Sequence, residues 1–167
     1  MEIIQFVANI CAFVIVFQLT TIIHELGHAI PARIFSKDKV TIYLGVGNSK
    51  RNFKIGNLKV LFRGFHPFTG FASWDGNKLT RFGKIVATLG GPLVSLMVGM
   101  GSLLIAGKMA NTILNNLFTF IAYYNLFQFI VTGIPVKYPS WWGAYGGITS
   151  DGYKALTFLK EKAEPTN

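Results

Sequence analysis

The composition points away from an ordinary soluble protein. The chain has 167 residues, of which 51% are hydrophobic and 14% are charged, and its mean hydropathy is +0.43. Soluble domains carry about 25% charged residues, so these values exclude an ordinary soluble domain. The length leaves room for one domain with about three or four membrane spans. The single cysteine, Cys11, excludes an internal disulfide and a cysteine-based metal site.

Positive charge is concentrated in one segment of the chain. The net charge is +9, and 11 of the 16 Lys and Arg residues fall between Arg33 and Lys84. Such a block can bind nucleic acid, but beside apolar runs it is typical of a cytoplasmic loop that lies against anionic lipid headgroups. We therefore expect a lipid bilayer and no nucleic acid among the partners.

The first apolar run predicts a membrane-spanning helix. Ile3 to Ile23 contains no charged residue, and its 21 residues would cover about 31 Å as a helix, which is about one hydrocarbon thickness. A signal peptide is the competing interpretation, but no basic residue precedes the run. We expect the helix to cover about residues 3–30, with Pro31 kinking or ending it.

The hydrophobic period changes to that of β-strands in the segment 39–63. Apolar and polar residues alternate at its start, and they alternate again on both sides of Gly56-Asn57, a dipeptide that favours a two-residue hairpin turn. We expect a small antiparallel sheet or hairpin here, associated with the membrane, in which Lys54 lies opposite Lys59.

Two further uncharged runs follow an aromatic stretch, 65–74, which suits an interfacial loop. They predict membrane spans at about 85–107 and 110–136, and the single charge between them, Lys108, favours a tight helical hairpin. A segment rich in Trp, Tyr and Gly comes next. After it, the pattern predicts a short C-terminal helix at about 152–163.

Together these elements predict an α-helical membrane protein with about three transmembrane helices, a short C-terminal helix and a small antiparallel sheet after the first helix. All of them belong to a single domain over residues 1–167. The positive-inside rule puts the basic segment 33–84 and the C-terminus in the cytoplasm and the N-terminus outside. We therefore expect a multi-pass protein of the cell membrane.

The strongest chemical signal is His24-Glu25-Leu26-Gly27-His28, at the end of the first apolar run. Residues four apart share a helix face, so both imidazoles can bind one Zn²⁺. Glu25 lies between them and can act as a general base toward water. The alternative is a polar cluster that makes hydrogen bonds between helices without a metal.

A catalytic zinc site usually takes three protein ligands, so this motif needs a third. We favour Asp151, because it follows a Gly-rich loop, precedes Gly152 and lies on the same predicted side of the membrane. Its alternative role is the N-cap of the last helix. The other candidates are Asp38, Asp75 and His66, and His66 is better explained as an interfacial residue of the aromatic loop.

Three segments carry a resemblance to a known family: His24-Glu25-Leu26-Gly27-His28-Ala29, Gly90-Gly91-Pro92, and Asn125-Leu126 leading through Pro135 to Asp151-Gly152. In this order, the chain resembles the site-2 protease family of intramembrane zinc metalloproteases in a compact, bacterial-like form. The resemblance implies that His24, His28 and Asp151 bind one Zn²⁺ and that Glu25 activates water. It also implies that the strands after the first span receive an extended substrate segment. Asn125 would hold the substrate backbone or the oxyanion, or else bond between helices.

Two features depart from the family pattern. Ser95 stands where the family usually has an asparagine shortly after the Gly-Pro pair. In addition, 26 residues separate Asn125 from Asp151, where the family usually has about one or two helical turns. The loop between them must therefore fold back to bring Asp151 to the metal.

These observations predict an intramembrane zinc metalloprotease that hydrolyses peptide bonds of membrane-embedded or membrane-anchored proteins. A catalytically silent member of the same fold that binds a membrane partner is the first alternative, although such a protein would most simply have lost Glu25. A zinc-handling or transport protein is the second, although the later spans hold no ionisable residue to carry an ion.

Overall fold

The structure is a computed structural model that describes residues 2–48, 51–64 and 66–161, and only the backbone at Glu2 and Ala8. Within these ranges the chain forms four α-helices, four strands and two short 3₁₀ turns. The helices are α1 (Glu2–Ser36), α2 (Arg81–Ala106), α3 (Thr112–Gly133) and α4 (Asp151–Lys160). The strands are β1 (Val40–Leu44), β2 (Arg51–Ile55), β3 (Leu58–Phe62) and β4 (Gly70–Ser73), and the 3₁₀ turns are Gly76–Lys78 and Gly143–Tyr145.

Helix α1 continues through Pro31 and ends at Ser36, so the expectation that this proline could end the helix is wrong. A proline removes the hydrogen bond to the carbonyl four residues earlier, which here belongs to Gly27. That carbonyl lies directly against Gly90 of α2. Packing between the two helices therefore supports the turn of α1 that the proline weakens.

The sheet is mixed, with the strand order β2-β3-β1-β4. Strands β2 and β3 form the predicted antiparallel hairpin around Gly56-Asn57, and Lys54 lies opposite Lys59. The expectation of a wholly antiparallel sheet is wrong, because β1 pairs in parallel with β3. Strand β4 then pairs antiparallel with the other side of β1, so it forms one edge of the sheet.

Strand β4 lies within the stretch 65–74, which the aromatic composition assigns to a loop. That assignment is wrong at Gly70–Ser73, whereas Phe65 lies outside the described residues. The two buried positions of the strand hold Gly70 and Ala72. These residues give no β-branched signal in the sequence. Their small size lets the edge of the sheet approach α1.

The hydrophobic core beneath the site lies between the second half of α1, strand β1 and the start of α2. Alternate residues of β1 point into it, as the sequence pattern predicts. The fully buried members of this core are Ala29, Ala32, Val40, Ile42, Leu44 and Ala87.

Two of the described helices, at Ile3–Ser36 and Arg81–Ala106, are long and apolar enough to cross a membrane. Helix α3 packs against α2 as the predicted hairpin, but it is not among these candidates. Its sequence includes the polar residues Asn115, Asn116 and Gln128, which are unfavourable in the hydrocarbon layer of a membrane. The expectation of about three transmembrane helices, with one at 110–136, is therefore wrong.

The segment between α3 and α4 is a loop whose two ends are joined by backbone hydrogen bonds. Tyr138 N–H donates to the Ile148 carbonyl, and Ser150 N–H donates to the Val136 carbonyl, both at 2.9 Å. This closure brings Asp151 back beside α2. Helix α4 begins at Asp151 and ends at Lys160, close to the predicted range of 152–163, of which the last two positions lie outside the described residues.

Candidate metal centre

His24 and His28 present their imidazoles to one point, because they are separated by four residues on α1. Their Nε2 atoms lie 3.2 Å apart. Both residues are buried, with relative exposures of 3% and 5%. The motif therefore gives the shared orientation that the sequence predicts.

The outer nitrogen of each imidazole is fixed by a hydrogen bond to α2. His28 Nδ1–H donates to the Ala87 carbonyl at 2.9 Å. His24 Nδ1 lies 2.8 Å from Ser95 Oγ. That hydroxyl can donate to Gln128 Oε1 at 3.5 Å, so we assign the proton between His24 and Ser95 to the imidazole. Both Nε2 atoms then lack a proton and face each other with their lone pairs.

Helix α2 is shaped to receive these two histidines. Ala87, Gly91 and Ser95 are four residues apart, so they form one stripe on its surface. A Cβ atom at Gly91 would overlap the His28 imidazole. The glycine therefore makes room for the ring, and the residues on either side of it along the stripe supply the two hydrogen-bond acceptors.

Asp151 completes the cluster from α4. Its Oδ2 lies 3.3 Å from His28 Nε2 and 3.9 Å from His24 Nε2. The N-cap role is filled by Ser150, whose side chain accepts from Tyr153 N–H, so the Asp151 carboxylate is not used for capping. Gly152 allows this approach, because a Cβ there would overlap the Gly133 carbonyl at the end of α3.

The donor set of His24, His28 and Asp151 fits a zinc ion. Their ligating atoms all lie within 4.8 Å of one another, and two neutral imidazoles with one carboxylate are a common catalytic zinc set. A tetrahedron with metal–ligand distances of 2.0–2.1 Å has edges of about 3.3 Å. Two of the three separations match that length, and a cation would relieve the repulsion between the facing Nε2 lone pairs.

The side chain of Glu25 extends from α1 toward the edge strand β4. A Cβ at Gly70 would come within 2.6 Å of Glu25 Cγ and 2.7 Å of its Oε1, so only a glycine allows this contact. The backbone amide of Ala72 is within hydrogen-bonding reach of the Glu25 carboxylate. Glu25 is 5% exposed, and it faces the same cavity as the two histidines.

A cavity of about 440 Å³ opens onto the cluster. One wall is formed by α1 and β4, a second by α3, and a third by the 138–150 loop and the start of α4. Lys154 also lines it and places its Nζ 3.1 Å from Asp151 Oδ1. The polar lining includes His24, Glu25, His28, Gln128, Tyr145, Asp151 and Lys154.

The other candidate ligands are engaged elsewhere. Asp38 pairs with Lys78 at 2.8 Å, and the Asp75 carboxylate caps the 3₁₀ turn that follows it. His66 is exposed and lies 2.6 Å from Thr69 Oγ1. Among the described residues, these three therefore stand outside the cluster that Asp151 joins.

Asn125 is fully buried, and its Nδ2 donates to the Ile121 carbonyl at 2.8 Å. It is not among the residues that line the cavity. Its Oδ1 has no hydrogen-bond partner among the described residues. The contact of Asn125 with a substrate therefore stays a prediction, while Gln128, one turn further along α3, faces the cavity.

Three residues near the site, Ser95, Gln128 and Tyr145, are not predicted from the sequence to take part in it, and Ser95 stands out there only as a departure from the family pattern. The sequence signal for Ser95 is its position one helical turn after Gly91, on the same helix face. No comparable periodicity marks Gln128 or Tyr145, because their roles depend on how α3 and the 138–150 loop fold back.

Comparisons with known proteins found no relative of this chain. No family model matches the chain, and no curated protein or solved structure matches it either. The resemblance to site-2 proteases therefore rests on the motifs quoted above and is carried forward only as a proposal.

Proposed function

We propose that the protein is a zinc metalloendopeptidase that cleaves membrane-embedded or membrane-anchored protein substrates. The observation that carries this proposal is the convergence of His24 Nε2, His28 Nε2 and Asp151 Oδ2 beside Glu25 in one cavity. Bound Zn²⁺ would supply a Lewis acid that acidifies water and polarises the peptide carbonyl. His24, His28 and Asp151 are the residues that would hold it.

The chain's own residues then provide the proton transfer and the positioning. Glu25 accepts the proton of the attacking water and returns it to the amine nitrogen of the leaving peptide. Ser95 and the Ala87 carbonyl hold the two imidazoles in the tautomer that leaves Nε2 free for the metal. Burial of the cluster keeps bulk water from competing with these interactions.

A membrane substrate is supported by the surface around the site. The apolar stretch of α1 buries only 12% of its most apolar window inside the protein, so lipid is the environment that suits the rest. The basic segment 33–84 then faces the cytoplasm, as the positive-inside rule predicts. A substrate helix hides its peptide groups in hydrogen bonds, so it must unwind before cleavage, and the edge of β4 offers backbone partners to the unwound segment.

The experiment that tests this proposal compares Glu25→Gln with Glu161→Gln. Zinc content and cleavage of dye-labelled casein, an unfolded protein, are measured in detergent. Glu25→Gln should keep about one zinc per chain and lose about 10²–10⁴-fold in cleavage rate, since general-base catalysis contributes this much. Glu161 is half exposed at 45%, lies outside the cavity lining and serves as the matched control.

Two results would contradict the proposal. If Glu25→Gln cleaved casein as fast as the parent, another group would be the base. If the parent bound zinc but released no new amino termini from casein or from a single-span peptide in vesicles, the silent, partner-binding alternative would be favoured.

A further inference from the structure

The outer edge of β4 shows which backbone groups are available for pairing. Gly45 N–H donates to the Thr69 carbonyl at 2.8 Å, and the antiparallel register continues with Leu44 opposite Gly70. Hydrogen-bonded and non-hydrogen-bonded pairs alternate in such a ladder. Gly70 and Ala72 therefore direct their N–H and C=O groups away from β1, toward the cavity.

At Gly70, both the outward-facing N–H and the outward-facing carbonyl are already hydrogen-bonded to one side chain, that of Tyr145. Gly70 N–H donates to Tyr145 Oη at 3.1 Å, and the same hydroxyl lies 3.1 Å from the Gly70 carbonyl and 3.3 Å from the Phe68 carbonyl. The hydroxyl accepts one bond and donates another. A residue of an added β-strand would make the same two bonds with Gly70.

The phenol is well suited to this role. Burial raises the pKa of Tyr145 well above its ordinary value, so the hydroxyl keeps the proton that it donates. Tyr145 also lines the cavity that contains Glu25. Ala72, two residues along β4, holds its amide against Glu25, so a strand paired at Gly70 would run directly past the proposed base.

Tyr145 lies on a segment whose base is held by backbone hydrogen bonds of its own. The 138–150 loop is closed at its base by the Tyr138–Ile148 and Ser150–Val136 backbone bonds. Between these bonds, residues 139–144 are exposed. Displacement of the tip would therefore leave the base of the loop, and Asp151 after it, in place.

We propose that Tyr145 covers the substrate-binding edge of β4 by imitating a peptide backbone at Gly70, and that an extended substrate segment displaces it. This inference rests on the proposed protease function and adds its regulation: the 138–150 loop is the part of the cavity wall that opens. Substrate is selected partly by whether its backbone can replace both Tyr145 bonds. A segment without a free backbone N–H at that position cannot do so.

The test uses zinc-loaded protein and two probes. A dye-labelled three-residue peptide hydroxamate has a zinc-binding group and a backbone, whereas acetohydroxamate has only the zinc-binding group. Tyr145→Phe removes the hydroxyl alone, and Tyr123→Phe, at a position 64% exposed on α3, is the matched control. Binding is followed by fluorescence anisotropy for the peptide and by competition for acetohydroxamate.

Tyr145→Phe should bind the peptide hydroxamate about tenfold more tightly than the parent, because the peptide no longer has to break the two bonds at Gly70. Acetohydroxamate affinity should be unchanged, and Tyr123→Phe should match the parent with both probes. The gain should disappear for a peptide that is N-methylated at each backbone amide. Unchanged or weaker peptide binding by Tyr145→Phe, with normal acetohydroxamate binding, would show that Tyr145 only supports the fold and would overturn the inference.

A second measurement uses the unaltered protein and so does not depend on the folding of any variant. Amide hydrogen exchange of residues 140–147 should speed up when the peptide hydroxamate binds, and it should not change with acetohydroxamate. Slower or unchanged exchange with the peptide would contradict displacement of the loop. If neither probe bound to protein supplied with zinc, the proposed function itself would fail, and this inference would fail with it.

Discussion

The hydrogen bond between His24 and Ser95 offers a sensitive test of how the site is organised. Ser95→Ala removes one oxygen from the interior of α2 and leaves His24 Nδ1–H without its acceptor. The contact is 2.8 Å long, and Ser95 is fully buried, so bulk water has no direct access to replace the lost hydroxyl. The imidazole is then free to rotate or to move its proton to Nε2, and either change weakens it as a ligand.

Loss of such an outer hydrogen bond lowers metal affinity by about 10–100-fold, which corresponds to about 1.4–2.7 kcal/mol. The dissociation constant for zinc is measured by competition with a chromogenic chelator in detergent. Ser102→Ala is the matched control, since Ser102 is buried on the same helix but does not line the cavity. Equal zinc affinities for the two variants would refute the positioning role of Ser95 and the tautomer assigned to His24.

Two glycine substitutions test the close approaches around the site. Gly91→Ala should lower zinc affinity by more than about 100-fold, the upper value for loss of an outer hydrogen bond, because the added methyl group overlaps the His28 ring. Gly101 on the same helix has open space where a Cβ would lie. The control variant Gly101→Ala should therefore bind zinc normally in the same competition titration. Gly152→Ala should lower both zinc affinity and thermal stability, the latter by about 1–3 kcal/mol, because its methyl would overlap the Gly133 carbonyl. Normal zinc binding by either of the crowded variants would show that the site is looser than described.

The parts of the site that lie close together in sequence could be predicted from it. The four-residue spacing of His24 and His28 fixes their common face as soon as the segment is helical. The position of Asp151, after a loop and before Gly152, predicts it as the third ligand, and the structure brings it to the two histidines. The β2–β3 hairpin followed from a two-residue turn, and the α2–α3 hairpin followed from two apolar runs with one charge between them.

The parts that depend on long-range packing could not be predicted in the same way. Alternation along β1 fixes which residues are buried, but it does not say which strand becomes its neighbour. The parallel pairing with β3 therefore went unpredicted, and β4 went unrecognised because Gly70 and Ala72 are small. Likewise, the stripe that ends at Ser95 is visible in the sequence, but its contact with His24 depends on how α1 and α2 cross.

The membrane span predicted at 110–136, which contains α3, is wrong because the prediction rested on the absence of charge alone. The absence of charge over 110–136 predicts a membrane span, yet α3 contains asparagine and glutamine residues and is not among the candidate spans of the described chain. One of them, Gln128, faces the cavity and contacts Ser95. Polar residues that lower the hydropathy of a helix can therefore mark the side that serves a site.

The most direct test of the account is a measurement of metal content by mass spectrometry. It compares the purified parent protein with the variants His24→Ala and Asp151→Ala and with the control variant His66→Ala. The account predicts about one zinc per chain in the parent and in His66→Ala, and loss of zinc in the other two variants. A parent purified with ample metal that contained no zinc would contradict the central claim. Tight zinc binding by Asp151→Ala would contradict the three-ligand centre.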